Sequence, residues 1–272
     1  MIINLYHNSA RHQTRHLKLF ESGLKAHGVP ANILHSDHPR KCDLAVLWGV
    51  HSQNIIDYQK KSGGDYLVME RGYFGDRFKM TSIGYGGLNG RADFLNEDRL
   101  EDRWLKHGVV YSDWKKDGDY ILLMGQVMGD ASLKGADFLR WIRTMFYELN
   151  FIYDKPIVCR PHPQDKAGRQ SPCREFPRIS KQSLGEDLKR AFCVVTFNSN
   201  SGVDAVLAGV PVIAWDRGSM VWPIATHNLK DPLFRGDRLQ WAKNIAYCQW
   251  TESEIKKGLA WDHLKQKYEV SK

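Results

Sequence analysis

A 272-residue chain that is 42% hydrophobic, with nine Trp, eleven Tyr and eleven Phe, can pack one large core or two small ones. No stretch approaches the ~20 apolar residues of a membrane span, and MIINLYHNSARHQTRH lacks the apolar core of a signal peptide, so a cytoplasmic protein is expected. The net charge of +8 points to a polyanionic partner: nucleic acid, acidic glycan or an anionic surface.

In chain order, Ile2–Tyr6 is a short β-rich run, and Leu17, Leu19, Phe20 and Leu24 fall at helical spacing within His16–Ala26 before Gly28-Val29-Pro30 ends the helix. DLAVLWG (43–49) reads as a buried strand, 54–61 as a short helix, and YLVME (66–70) as a strand running into the polar loop 71–77. Residues 81–118 are the least regular, with glycine-rich SIGYGGLNGRADF followed by the charged NEDRLEDRW. Asp117-Gly118-Asp119 has the DxD form of metal-dependent sugar transferases, but directly before a strand Asp-Gly is a turn signal, and the turn is the better reading.

A second alternation follows: strand YILLMG (120–125), helix 136–149, strand PIVCR (156–160), a polar basic loop over 164–182, helix 183–190, strand 193–197, helix 202–208, strand 210–215 and a largely helical tail over 238–268. Strands alternating with crossover helices predict an α/β fold with parallel sheets. Two such series predict two Rossmann-like lobes around a central cleft, residues 1–115 and 116–272. The five cysteines are odd in number and make no CxxC pair, which predicts reduced, buried thiols; no metal-ligand spacing stands out among the eleven histidines.

In parallel sheets ligands gather where strands end and helices begin. Three strand ends carry polar groups suited to a phosphorylated ligand. Asn198, Ser199, Asn200 and Ser201 open a helix, where they either cap it or hydrogen-bond a phosphate. Arg160 and His162, the latter fixed between Pro161 and Pro163, can pair with a phosphate. Gln126, Asp130 and Ser132 can meet a base, ribose or sugar hydroxyl. With neither GxGxxG nor GxxxxGK[ST] present, this edge suits a nucleotide-sugar better than NAD or ATP.

These pieces, in this order, resemble the bacterial capsule-polysaccharide glycosyltransferases of the Kdo- and sialyl-transferring kind. The resemblance rests on Gly125-Gln126 with Gly129-Asp130 and Ser132, on His162-Pro163, on Ser199–Ser201 with Gly202-Val203-Asp204-Ala205 and Gly209-Val210-Pro211-Val212, and on AYCQWTESEIKKGLAWDHL (246–264). It covers about 120–265 and implies a GT-B-type fold, metal-independent transfer and no cofactor beyond the nucleotide-sugar. It further implies the donor in the C-terminal lobe, its phosphate held by His162, Ser199 and Ser201, and the acceptor in the N-terminal lobe. ERGYFGDR and SIGYGGLNGR match that family poorly and look like phage-type proteins.

A catalytic base is expected at an N-terminal-lobe strand end: Glu70 ahead of Asp76, with Arg71, Tyr73, Arg77 and Asn89 toward the acceptor. The alternative is an Arg–carboxylate network that only fixes a loop. Arg11, Arg15, Lys18, Lys166, Arg169, Arg174, Arg178 and Lys181 suit a nucleic-acid backbone, and Trp48, Tyr73 and Phe74 suit stacking on an extruded base. The favoured acceptor is thus a hydroxymethylated pyrimidine in phage DNA. The rivals are a capsule or lipopolysaccharide sugar receiving from a CMP-sugar, a nucleotide-sugar epimerase on the same fold, and a non-catalytic DNA-binding module.

Overall fold

The computed structural model describes residues 1–8, 10–164 and 172–269. The chain divides into two compact units, Met1–Gly108 with Leu239–Lys272, and Val109–Arg238. Among the described residues no helix is long and apolar enough to cross a membrane.

The first unit is built on strands whose apolar residues are covered on both faces. β1 (Ile3–His7), β2 (Ala31–His35), β3 (Leu44–Trp48) and β4 (Asp65–Arg71) run parallel; β5 (Met80–Tyr85) and β10 (Gln249–Thr251) add an antiparallel side. The order is β10-β5-β4-β3-β1-β2, so this sheet is mixed where an all-parallel one was expected. The tail after Arg238, expected in the second lobe, returns to the first sheet through β10. Helix α1 (Arg11–Ala26) buries Leu17, Phe20 and Leu24, which join Ile3, Leu5, Val46, Trp261 and Leu264 in one core. α2 (Gln53–Lys61) follows β3, and α3 (Asp102–His107) ends at Gly108 with φ 63°.

The tail α7 (Leu239–Ala246), α8 (Glu252–Lys256), α9 (Leu259–Leu264) and α10 (Gln266–Glu269) is fastened by one buried charge cluster. Arg103 donates to Glu254 at 3.0 Å and lies 3.8 Å over the Trp250 ring, and Lys106 reaches the same carboxylate at 2.7 Å. Thr251 and Glu254 form a capping box at the start of α8. Burial alone would raise the Glu254 pKa, but the bonds from Arg103 and Lys106 outweigh it and hold it down at about 2.

The second unit is a four-stranded parallel sheet, order β7-β6-β8-β9, of β6 (Tyr120–Met124), β7 (Ile157–Arg160), β8 (Ala191–Thr196) and β9 (Val212–Ala214). α4 (Phe138–Ile152), α5 (Leu184–Arg190) and α6 (Ser201–Leu207) are its crossovers. Apolar residues at helical spacing on α4, Phe138, Trp141, Ile142, Met145 and Leu149, pack on Ile121, Leu123, Val195 and Ile213. Each such buried side chain contributes about 1.5–3 kcal/mol of transfer free energy.

Cys159 and Cys173 form a disulfide, with Cα atoms 5.6 Å apart, which corrects the expectation of five reduced thiols. The bond joins β7 to the short 3-10 turn Pro172–Glu175, across a sequence separation of 14. Cys42, Cys193 and Cys248 are free and buried.

Candidate active site

Because β6, β7, β8 and β9 are parallel, the loops after Met124, Arg160, Thr196 and Ala214 all leave one edge of the second sheet. Asn198 ties three of them together. Its Nδ2 donates to the Ser132 carbonyl at 2.8 Å and to Asp216 Oδ1 at 2.9 Å. Its Oδ1 accepts from Gln126 Nε2 at 2.9 Å, while its own N–H donates to Gln126 Oε1 at 3.1 Å. Gln126 and Asn198 are both buried, so these two expected donor contacts brace the rim instead of facing solvent. Asp130 accepts the Ser132 N–H at 2.8 Å and caps the short 3-10 turn that carries it.

The serine turn stands at the centre of that rim. The Ser199 N–H donates to Thr196 Oγ1 at 2.9 Å, and Ser201 donates to the Ser199 oxygen from its hydroxyl at 2.8 Å and from its N–H at 3.3 Å. Asn200 precedes α6 but makes no side-chain capping bond. Gly202 lets α6 pack closely, since a Cβ there would lie 3.1 Å from Val221 Cγ2.

On the neighbouring loop, His162 Nδ1 accepts the Gln164 N–H at 3.2 Å, which leaves Nε2 as the protonated, donating nitrogen of the neutral ring. Arg160 does something other than expected. Its guanidinium is engaged by Asp187 at 2.5 Å and by the Gln182 carbonyl at 2.7 Å, in a pair whose carboxylate is 2% exposed. Asp187 also accepts from Ser180 and Tyr120, so Arg160 clamps α5 to the sheet. The disulfide lies directly beneath the rim: a Cβ on Gly125 would come within 2.9 Å of Cys173 Sγ. Lys166 and Arg169 lie outside the described residues. Asp117 and Asp119 pair with Lys155 and Arg190 at the start of β6, the edge opposite the serine turn, as a turn rather than a metal motif requires.

In the first unit, β3 and β4 end side by side. Glu70 Oε1 accepts the Arg71 N–H at 2.9 Å. Gly49, with φ 65°, leaves a space whose Cβ position is 3.6 Å from Glu70 Oε2 and 3.4 Å from the His51 ring. Arg71 lies over Trp48 at 5.6 Å, and the His12 and His16 rings lie 5.5 and 4.8 Å from the same indole. Burial lowers the pKa of His16, keeping it neutral beside Thr81.

The other residues expected at the base or the acceptor have different settings. Tyr73 and Phe74 are core residues, 2% and 1% exposed, and are not exposed stacking platforms; burial raises the Tyr73 pKa. Asp76 is an exposed turn carboxylate bound to Lys79 at 3.2 Å, which lowers its pKa. The Arg77 carbonyl accepts from Gly72 N–H at 3.4 Å. Asn89 sits in a turn after β5, at the end of the sheet away from Glu70, because β5 runs antiparallel to β4. A cavity of about 390 Å³ lined by Lys60, Asp65, Tyr66, Arg91 and Lys267 lies at that far end. Sequence reasoning passed over Asp216, His51 and the histidines around Trp48; an acid two residues beyond the apolar β9 was the one available signal.

Among the described residues, no cluster of three or more His, Cys, Asp or Glu is arranged to hold a metal ion.

The second unit is a doubly wound parallel α/β domain with its polar groups gathered at the strand ends, the place where such domains bind ligands. No protein-family model matches the chain, and no curated protein does. Among solved structures it is similar to Thermosulfurimonas dismutans KpsC, a β-Kdo 2,7 transferase, at 16% identity and a TM-score of 0.62, covering 97% of this chain and 100% of that one. The likeness establishes a shared fold. A second match, the glycosyltransferase SnogD from Streptomyces nogalater, has 11% identity over 98% and 99% of the two chains and a TM-score of 0.31, too low to support an argument.

Proposed function

We propose that the chain is a glycosyltransferase of GT-B type that moves a sugar from a nucleotide-sugar to a hydroxyl acceptor. The observation that carries this reading is the rim of the second unit. Asn198 locks three strand-end loops, one of them its own serine turn, and on the strand end after β7 His162 has its donating nitrogen fixed. Hydroxyls and an imidazole N–H in that setting suit a phosphate that gains charge as the sugar departs. Ser199, Ser201 and His162 bind the donor phosphate; Asn198 and Gln126 hold the rim in shape. Glu70 accepts the proton of the acceptor hydroxyl as that oxygen attacks the anomeric carbon, and the phosphate leaves with the bonding pair.

The likeness to a Kdo transferase over both units favours a glycan acceptor. Hydroxymethylated pyrimidine in phage DNA is the second reading, favoured by the +8 charge and by Arg11, His12 and Arg71 in the first unit. The burial of Tyr73 and Phe74 takes away two of the three aromatics that reading used.

The test is incubation with a panel of nucleotide-sugars and either oligosaccharide acceptors or plain and hydroxymethylated DNA, with and without EDTA. Nucleotide release coupled to an added sugar mass on a glycan, unaffected by EDTA, is expected. Added mass only on modified DNA selects the second reading. Donor interconversion without an acceptor identifies an epimerase, and salt-sensitive DNA binding without turnover a binding module.

A further inference from the structure

The second unit has a groove that the phosphate-binding residues do not use. It has a volume of about 270 Å³ and runs along α4, lined by Asp137, Arg140, Trp141, Thr144 and Glu148 together with Trp215. Its place in the fold is informative. Trp215 is the first residue after β9 and is followed by Asp216, the carboxylate that Asn198 holds. Asp137 ends the loop after β6, the loop whose Ser132 carbonyl Asn198 also holds. The groove therefore adjoins the serine-turn rim through the same loops.

Its walls differ sharply in character. Trp141 is 7% exposed and packs on Phe138 and Phe197 as part of the core. Trp215 is 43% exposed, although its backbone is anchored by hydrogen bonds to the two residues that lead into the serine turn: its N–H donates to the Thr196 carbonyl at 3.0 Å, and the next N–H to the Phe197 carbonyl at 2.9 Å. A large indole held rigidly at its backbone and left open at its ring is a stacking surface. Polar groups from α4, the Thr144 hydroxyl and the Glu148 carboxylate, line the same space and can meet the edge of a flat heterocycle. The volume is that of a small planar ligand, below the usual range for a whole drug-sized molecule.

We infer that this groove is the nucleobase subsite of the donor, with the base stacked on Trp215 and its edge turned to α4. The inference rests on the proposed donor site and specifies how the nucleoside end is held. Base–aromatic stacking of this kind is worth roughly a 5- to 150-fold change in affinity.

Isothermal titration of the full chain with CMP, UMP, AMP and GMP, and with ribose 5-phosphate as the base-free control, tests it. At least one nucleotide is expected to bind ten times or more tighter than ribose 5-phosphate, with quenching of tryptophan fluorescence. Trp215→Ala should remove that advantage while leaving ribose 5-phosphate affinity unchanged, and Trp215→Phe should retain most of it. Thermal melts check that both variants are folded; if the alanine variant is not, the quenching and the phenylalanine variant decide. Nucleotide binding that is indifferent to Trp215→Ala, or quenching that is absent, overturns the subsite and leaves the donor site standing. Failure of the wild-type chain to bind any nucleotide or nucleotide-sugar overturns both.

Discussion

Replacing Asn198 by Asp changes a single side-chain nitrogen to oxygen at the point where three loops meet. The native Nδ2 donates to the Ser132 carbonyl at 2.8 Å and to Asp216 Oδ1 at 2.9 Å. A carboxylate oxygen there would face two acceptors, one of them charged, in a residue that is 2% exposed. Each buried polar group left without its partner costs about 1–3 kcal/mol, and like-charge contact with Asp216 adds to that, giving about 3–5 kcal/mol for the substitution. Asn198→Ala loses those bonds and also the one Oδ1 accepts from Gln126, but introduces no repulsion, and should cost about 2–4 kcal/mol. The order is the informative part: the near-isosteric Asp should be worse than Ala. Urea unfolding at neutral pH reads this as a lower midpoint at unchanged slope, and nucleotide titration reads the loss of the rim. An Asn198→Asp chain as stable as wild type would refute the bracing role of Asn198.

Glu254 and His263 make the first unit acid-sensitive in two successive windows that meet near pH 4. Burial holds the His263 pKa down at about 4, below its ordinary 6.5, so its contribution is complete above pH 6.5 and is lost as pH falls toward 4. Glu254 lies at about 2, below its ordinary 4.5, so its contribution is complete above pH 4.5 and fades toward pH 2. Stability measured against pH should therefore show two steps, and His263→Gln should flatten the upper one alone. Arg103→Met should destabilise by about 3–5 kcal/mol, because it leaves Glu254 buried without its main partner, as a urea titration would register. Cys173→Ser should lower stability by about 3 kcal/mol, the chain-entropy value for a loop of this length, with a fall in melting temperature as the readout. Glu70→Gln should abolish sugar transfer while leaving nucleotide affinity unchanged; unaltered turnover would remove Glu70 from the chemistry.

The strands of the second unit were legible because YILLM, IVC and VVT are unbroken apolar or β-branched runs, the mark of parallel strands in a covered sheet. β5, with the sequence MTSIGY, was not: Thr, Ser and Gly interrupt its apolar residues, and its antiparallel pairing carries no crossover helix to announce it. β10 is three residues long inside a helical tail, so only the fold reveals that the chain returns to the first sheet. The candidate site divides in the same way. Gln126, His162, Asn198 and Ser199 share one edge because they follow parallel strands, which all end there. What each side chain does at that edge depends on partners distant in sequence. Arg160 looks ligand-facing beside His162, yet its carboxylate partner is Asp187, 27 residues further on. Tyr73 and Phe74 looked exposed in a polar loop, yet Gln249 of the returning tail accepts from both their N–H groups and helps fix them in the core.

A structure of the chain bound to a nucleotide-sugar it turns over addresses the central claim most directly. The donor phosphate should lie within hydrogen-bonding distance of the Ser199 and Ser201 hydroxyls and of His162 Nε2. A donor seated elsewhere, in the Lys60–Lys267 cavity for example, with the serine turn untouched, would contradict it.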